Sequence, residues 1–424
     1  MTPGQSEVGS AARLTGDLLD WVAHTVEGVH TAVARRTFRV VGPPAVPVRV
    51  VHDTVTTVLY GSVRGGIRGA TRAAGAIADR HPATAGGTQI TAHPVADRTL
   101  AAITGIFGDT VAEHHAVLDS GLGWRHDGGP LEPTPEALAA AHPRASGDLV
   151  VFAHGLCESD QSWWYRSRAH RARRKVDPET TPERPRSIGE DLAGHHGSTP
   201  LYLRYNTGAR ISESGRALAD LLERTVDAWP TRVDDISLVG HSMGGLVFRS
   251  ACHQALEAGH DWPHRVRHVV YLGTPHLGAP LEKAVNLAGW ALGHTAETQP
   301  LSRLLARRSV GVKDLRFGYI RDEEWNGHDP HDLTSRHVET PLLEWAQHHV
   351  VTATLTRRAE HPVGWALGDL LVRSGSGAGR SRRRRIGFDD EVVALTGLDH
   401  FDLLTDPRVV ELLRDRLAPS EALA

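Results

Sequence analysis

The chain of 424 residues has only two cysteines, Cys157 and Cys252. That scarcity excludes a disulfide framework and a cysteine-based zinc site. Two ordinary thiols are expected, with a single Cys157–Cys252 bridge as the alternative. Lysine occurs only at positions 175, 283 and 313, so arginine carries nearly all the positive charge. The formal net charge is −3, which removes any global electrostatic case for nucleic-acid binding. No apolar run approaches the ~20 residues that a membrane-spanning helix needs. Residues 1–33 lack the basic and apolar regions of a secretory signal, being interrupted by Arg13, Asp17, Asp20 and Glu27. These absences together predict a soluble, cytoplasmic protein. The Gly-rich stretches 61–75 and 374–379 do not follow a strand as phosphate-binding loops do, which argues against a nucleotide. His328-Asp329-Pro330-His331-Asp332 offers metal-ligand types, but Pro330 interrupts the spacing and no second cluster accompanies it. No metal or organic cofactor is expected.

What is present begins with periodicity. Leu14, Leu18, Val22, Val26, Val29 and Val33 recur at spacings of three and four, the mark of an amphipathic helix over residues 8–36. Val51, Val55, Val58, Leu59, Val63 and Ile67 repeat the pattern until glycines between 65 and 75 weaken it. Leu100, Ile103, Ile106, Phe107 and Val111 mark a third helix. Residues 1–120 therefore read as a helical region without chemistry of its own. It packs on the main domain, forms an oligomer interface or makes a peripheral membrane contact; amphipathicity alone does not choose.

Residues 121–418 read differently. Asp127-Gly128-Gly129 is a hairpin turn between two short strands. Apolar strand runs follow at 148–153, 200–205, 236–240, 268–273, 350–355 and 391–395. Helical patterns lie at 212–226, 246–256, 342–348 and 408–417. Buried strands alternating with amphipathic helices imply an α/β fold with a mostly parallel sheet flanked by helices, its functional loops at the carboxyl ends of the strands. The connection at about 276–348 is long enough to carry a lid, with Leu287, Trp290 and Leu292 as its apolar face. The Ser-Gly and basic stretch at about 373–386 reads as a flexible loop.

The chemistry centres on Gly240-His241-Ser242-Met243-Gly244, which joins the strand run at 236–240 to a helix. Strand, Gly-x-Ser-x-Gly and helix form a nucleophile elbow, which presents a serine Oγ on a turn too tight for larger neighbours. A serine hydroxyl needs a base and a group to orient that base. In such a sheet the acid and the histidine follow the nucleophile in chain order. His400, just past the last strand, is the base candidate, with His276 second. Asp369 is the acid candidate; Asp399 and Asp402 lie too close to His400 in sequence, and Asp402 reads as bordering the closing helix. For the oxyanion, the N–H of Met243 is one donor. The other is the N–H of Leu156, on the loop His154-Gly155-Leu156 after the 148–153 strand. Cys157 reads as a loop-packing thiol.

Phe152-Ala153-His154-Gly155-Leu156, Gly240–Gly245, Leu272–Pro280, Gly368-Asp369 and Asp399-His400-Phe401 resemble the lipase/esterase branch of the α/β-hydrolases. Gly-Thr-Pro-His-Leu-Gly-Ala-Pro at 273–280 is similar to the segment in GPI inositol-deacylase-like and related bacterial lipase-like proteins. Arg204-Tyr205-Asn206-Thr207-Gly208 resembles a loop of the bacterial members. The likeness covers about 147–417. It implies an α/β-hydrolase fold, a serine esterase and a triad of Ser242, Asp369 and His400. The chain departs from the pattern after the acid, where Leu370-Leu371-Val372-Arg373 leads into a basic insertion. Hydrolysis of a carboxylic ester with an apolar acyl or alkyl chain is the expected reaction, on a small-molecule or lipid substrate. Acyl transfer to an alcohol or thiol is the alternative within enzymes. An interaction protein that kept the fold is the alternative outside them.

Overall fold

In the computed structural model the described residues are 5–81, 93–119, 121–164, 186–279, 292, 295–329, 334–356, 372, 374–380, 386–388 and 392–418. The chain divides into two compact units. One comprises residues 1–100, 107–119 and 282–309; the other comprises 101–106, 120–281 and 310–424.

The first unit is helical. Helix α1 (Glu7–Val41) starts at Ser6, whose hydroxyl accepts the Gly9 N–H at 3.0 Å. It ends at Gly42, with φ 79°, and a short 3₁₀ turn, Pro43–Ala45, leads into α2 (Val46–Arg80). The helix predicted over 8–36 is therefore longer. Helix α2 also continues through the glycines expected to weaken it. Of these only Gly75 touches α1, where a Cβ would meet the Gly9 carbonyl at 2.9 Å, while Gly65, Gly66 and Gly69 have open space; on α1 a Cβ on Gly16 would meet the Thr71 hydroxyl at 2.1 Å. The third helix, α3 (Pro94–His114), is kinked at Phe107.

The second unit is built on a sheet of eight strands in the order β2-β1-β4-β3-β5-β6-β7-β8. The hairpin β1 (Gly123–His126) and β2 (Gly129–Leu131) turns at Asp127 and Gly128, both with positive φ. It forms an antiparallel edge on β4 (Thr199–Arg204) and is followed in the chain by the short helix α4 (Pro135–Ala141). Strands β3 (Asp148–Ala153), β5 (Asp235–His241), β6 (Val266–Leu272), β7 (Gln347–Thr354) and β8 (Val393–Thr396) continue from β4 in parallel. Alternation along the strands divides the core. Val151, Leu238 and Val269 face α6 (Ile211–Ala228) and α7 (Met243–Ala258), which contribute Leu218, Leu222, Leu246 and Phe248. Phe152, Val239 and Val270 face α5 (Ile188–His196) and α10 (Pro407–Arg416), which contribute Leu192, Val409 and Leu413. Helices on both faces are what buried parallel strands require.

Between β6 and β7 lie α8 (Gln299–Ala306) and α9 (Val310–Asp314). Leu287 and Trp290 of the expected lid lie outside the described residues, as do Pro330, His331 and Asp332. The helix predicted at 342–348 does not form. Gln347 already pairs with His268, so sheet bonding claims the backbone, and the His348 Nε2 lies 3.1 Å from the Leu343 carbonyl. Leu343 and Ala346 are buried in the core from a turn instead. The predicted flexible loop also departs from expectation in part. Ser374–Gly377 is a helical turn whose Ser376 hydroxyl donates to the Gly278 carbonyl and accepts the Leu277 N–H.

Candidate active site

Strand β5 ends at His241, and the backbone turns at Ser242 with φ 51° and ψ −119°. A non-glycine residue in that region is strained, and the neighbours show what holds it there. The Ser242 N–H donates to the Leu272 carbonyl at 2.8 Å. A Cβ on Gly240 would lie 2.5 Å from the Gly245 nitrogen, and one on Gly244 would lie 2.3 Å from the Ala153 carbonyl. Glycine is thus required on both sides of the serine, because α7 crosses the ends of β5 and β3 in backbone contact. Met243 is the first residue of α7, where its N–H has no intrahelical acceptor.

The loop after β3 closes on the same point. A Cβ on Gly155 would sit 2.9 Å from the Ser242 Cβ, so His154, Gly155 and Leu156 stand beside the nucleophile. Three groups fix this loop. The Gly155 N–H donates to the Glu158 carboxylate at 2.7 Å. The Tyr205 hydroxyl donates to the His154 carbonyl at 2.8 Å, and the two rings stack. The Cys157 N–H donates to the Thr207 hydroxyl at 3.3 Å. The loop resembling bacterial members, 204–208, therefore supports the loop after β3. The buried Arg204 also pairs with the buried Asp160. Burial pushes the Cys157 thiol up to about 11 and the Cys252 thiol up to about 12, and both cysteines are free. Neither supplies a thiolate nucleophile near neutral pH. Burial also lowers His154, keeping that ring neutral.

His400 opens a 3₁₀ turn just after β8 and is buried. Asp399 accepts the N–H groups of Phe401 and Asp402, while the Asp402 carboxylate accepts the Asp399 N–H at 3.1 Å. Both acids beside His400 are thus occupied in a capping box. Asp402 borders this turn, and the closing helix α10 is capped by Asp406 instead. The His400 ring lies against Gly273, where a Cβ would meet its Nδ1 at 3.1 Å, and 4.7 Å from the His241 ring between centroids.

His241 links these parts. Its Nε2 lies 3.1 Å from the His400 carbonyl and its Nδ1 3.0 Å from the Glu158 carboxylate. A carbonyl and a carboxylate both accept, so the ring donates at both nitrogens and pairs as an imidazolium with Glu158. Burial pushes the Glu158 carboxyl up, but the His241 charge and hydrogen bond, with the Gly155 N–H, outweigh it and hold the group below its ordinary range.

Ser242, Met243, His154, Gly155, Leu156 and His400 therefore meet at the carboxyl ends of β3, β5, β6 and β8. Asp369 lies outside the described residues. His276, the second base candidate, is buried between the Tyr271 and Phe388 rings. Sequence reasoning missed Glu158 and the role of His241. The only signal was an acid three residues past Gly155 and a histidine just before the serine. Among the described residues no cluster of His, Cys, Asp and Glu could hold a metal.

A parallel sheet, a glycine-flanked serine at the end of its central strand and a histidine after its last strand decide the fold. The second unit has the α/β-hydrolase fold. Residues 144–318 of it match the family model described as "Putative serine esterase (DUF676)". No curated protein matches the chain. Among solved structures it is similar to the lipase BlEst2 of Bacillus licheniformis in mature form. The identity there is 17%, over 70% of this chain and 97% of that one, with a TM-score of 0.40. It is also similar to a Pyrobaculum calidifontis esterase, at 14% identity over 80% and 97% of the two chains and a TM-score of 0.36. RedJ, a thioesterase from the prodiginine biosynthetic pathway in Streptomyces coelicolor, shares 17% identity over 64% and 91%, with a TM-score of 0.35. At these scores the neighbours add no weight; the α/β-hydrolase fold rests on sheet order and elbow.

Proposed function

We propose that the hydrolase unit cleaves a carboxylic ester with an apolar acyl or alkyl chain through a Ser242–His400–Asp369 triad. The observation that carries the reading is the strained Ser242 at the end of β5, with Gly155 against its Cβ and the His400 ring against Gly273 just past the neighbouring β6. Ser242 Oγ attacks the ester carbonyl while His400 takes its proton. The N–H groups of Met243 and Leu156 receive the oxyanion. Collapse of the tetrahedral intermediate expels the alcohol, which takes the proton from His400. A water deprotonated by His400 then releases the acid and restores the serine. Asp369 holds the imidazole in the tautomer that accepts from the serine. The apolar chain preference rests on Leu287, Trp290 and Leu292 in the long insertion after β6.

A fluorophosphonate probe should label the wild-type chain and leave Ser242→Ala unlabelled, with ester turnover in the variant reduced by at least about 10⁴-fold. A folded wild type that takes no label overturns the reading. A series of p-nitrophenyl esters tests the chain preference. Rising kcat/KM with acyl length supports it, and a sharp fall beyond short acyl groups removes it while leaving the esterase intact.

A further inference from the structure

The two N-terminal helices are packed with their polar sides together. Asp20 accepts from Arg64 Nε at 2.9 Å and from Arg68 Nε at 3.0 Å, and Glu27 accepts from Arg64 at 3.2 Å. Asp79 accepts from Arg13 at 2.9 Å and from the Ser6 N–H and hydroxyl. With Gly9 on Gly75 and Gly16 on Thr71, charges and small residues fill the interface between α1 and α2. The valines face outward, and they crowd at the turn. Val40 is 83% exposed, Val48 62% and Val51 64%; Val41, Val46 and Val50 are exposed as well. Exposed apolar surface of this density marks a contact.

Two features of the tip select the partner. First, the chain has no acidic residue between Glu27 and Asp53, but it has Arg35, Arg36, Arg39 and Arg49, all exposed. Arg36 meets Glu297 and Arg49 meets Asp53, in exposed pairs. The tip is strongly cationic. Second, positions 46, 48, 50 and 51 follow one another at about 200°, 200° and 100° around the helix axis. The four valines therefore spread over about 200° of the α2 circumference, wider than a single stripe, and Arg49 occupies the remaining arc. A flat protein surface, or a second copy packed along one face, covers a stripe; parallel copies would also bring the two cationic tips together. A bilayer interface surrounds what enters it and supplies the opposite charge. No helix among the described residues is long and apolar enough to cross a membrane, which fits shallow insertion of the turn.

We propose that the turn between α1 and α2, residues 35–51, docks on an anionic membrane surface, with its valines among the upper acyl chains and its arginines among the headgroups. The proposal stands apart from ester hydrolysis. The full chain should cosediment at low salt with vesicles of equal parts phosphatidylcholine and phosphatidylserine, and far less with phosphatidylcholine alone. The double variant Val40→Asp/Val48→Asp should weaken binding roughly tenfold or more. Arg35→Gln/Arg39→Gln should weaken only the anionic-vesicle binding and flatten its salt dependence. All four positions are exposed, and far-UV circular dichroism checks that each variant is folded. A folded wild type that ignores the mixed vesicles overturns the proposal, as does a double-aspartate variant that binds like wild type. A concentration-dependent dimer that the aspartates dissociate, without vesicle binding, assigns the surface to a second copy instead.

Discussion

Glu158 and His241 form a charged pair with almost no access to water, and their partners are the two loops that flank Ser242. Replacing Glu158 with Gln removes the charge that matches the imidazolium and weakens the acceptor for the Gly155 N–H. Breaking a buried pair in this way costs on the order of 3 kcal/mol, measurable by urea unfolding at pH 7. The pH dependence has a definite sign. Glu158 titrates below its ordinary value of 4.5 in the folded chain. Its contribution is therefore complete above about pH 4.5 and is lost as pH falls through the lower folded value. Wild-type stability should drop with that added slope in acid, and Glu158→Gln should lack it. Ser242 was legible in the sequence because strand, glycines and helix are neighbours along the chain. The pairing of Glu158 with His241 was not, because it joins residues 83 positions apart and neither sits in a recognisable spacing.

Helix α7 and strand β3 meet without side chains between them, since Gly244 would carry a Cβ 2.3 Å from the Ala153 carbonyl and 2.7 Å from the His154 carbonyl. Backbone cannot rotate away as a long side chain can. Gly244→Ala should destabilise the unit by about 3 kcal/mol and depress kcat, because α7 carries Met243 away from the Gly155 loop. Gly194 in α5 has open space around its Cβ position, so Gly194→Ala should stabilise by roughly 0.5–1 kcal/mol. The contrast, read by thermal unfolding, separates close approach from ordinary helix propensity. Among elements, the strands were readable wherever an apolar, β-branched run was bounded by turn residues, as at 148–153 and, within two residues, at 268–273 for β6. The stretch 342–348 misled because Leu343 and Ala346 are buried in either conformation. Pairing of Gln347 with β6 decides between them, and a local pattern carries no record of that partner.

Across the molecule the two units have opposite interiors. The hydrolase unit buries leucine, valine and aromatic side chains on both faces of a sheet, whereas α1 and α2 meet through arginines and carboxylates. The Arg64 hydrogen bond, opposed by slight burial and helped by Arg68, holds Asp20 below its ordinary carboxyl range. Its tie between the helices is present above about pH 3.8 and is lost as pH falls through the lower folded value. Asp20→Asn should loosen the helical unit at neutral pH and abolish that acid-sensitive component, seen in helical circular dichroism during an acid titration. The existence of these helices was legible from periodicity, but their length was not: α1 runs on to Val41 and α2 through its glycines to Arg80. Which side faces the neighbouring helix was not. Burial is the usual fate of an apolar stripe, and Gly9, Gly16, Asp20 and Arg64 overrule it by fitting each other better.

The bond from His241 to the His400 carbonyl joins positions 159 residues apart. A chain emerging from the ribosome has its nucleophile elbow long before it has residue 400. Until then it lacks the proposed base, and His241 lacks the carbonyl that its Nε2 meets in the folded unit. With the proposed triad, ester turnover should therefore begin only after residue 400 has been added, although Ser242 is in place long before.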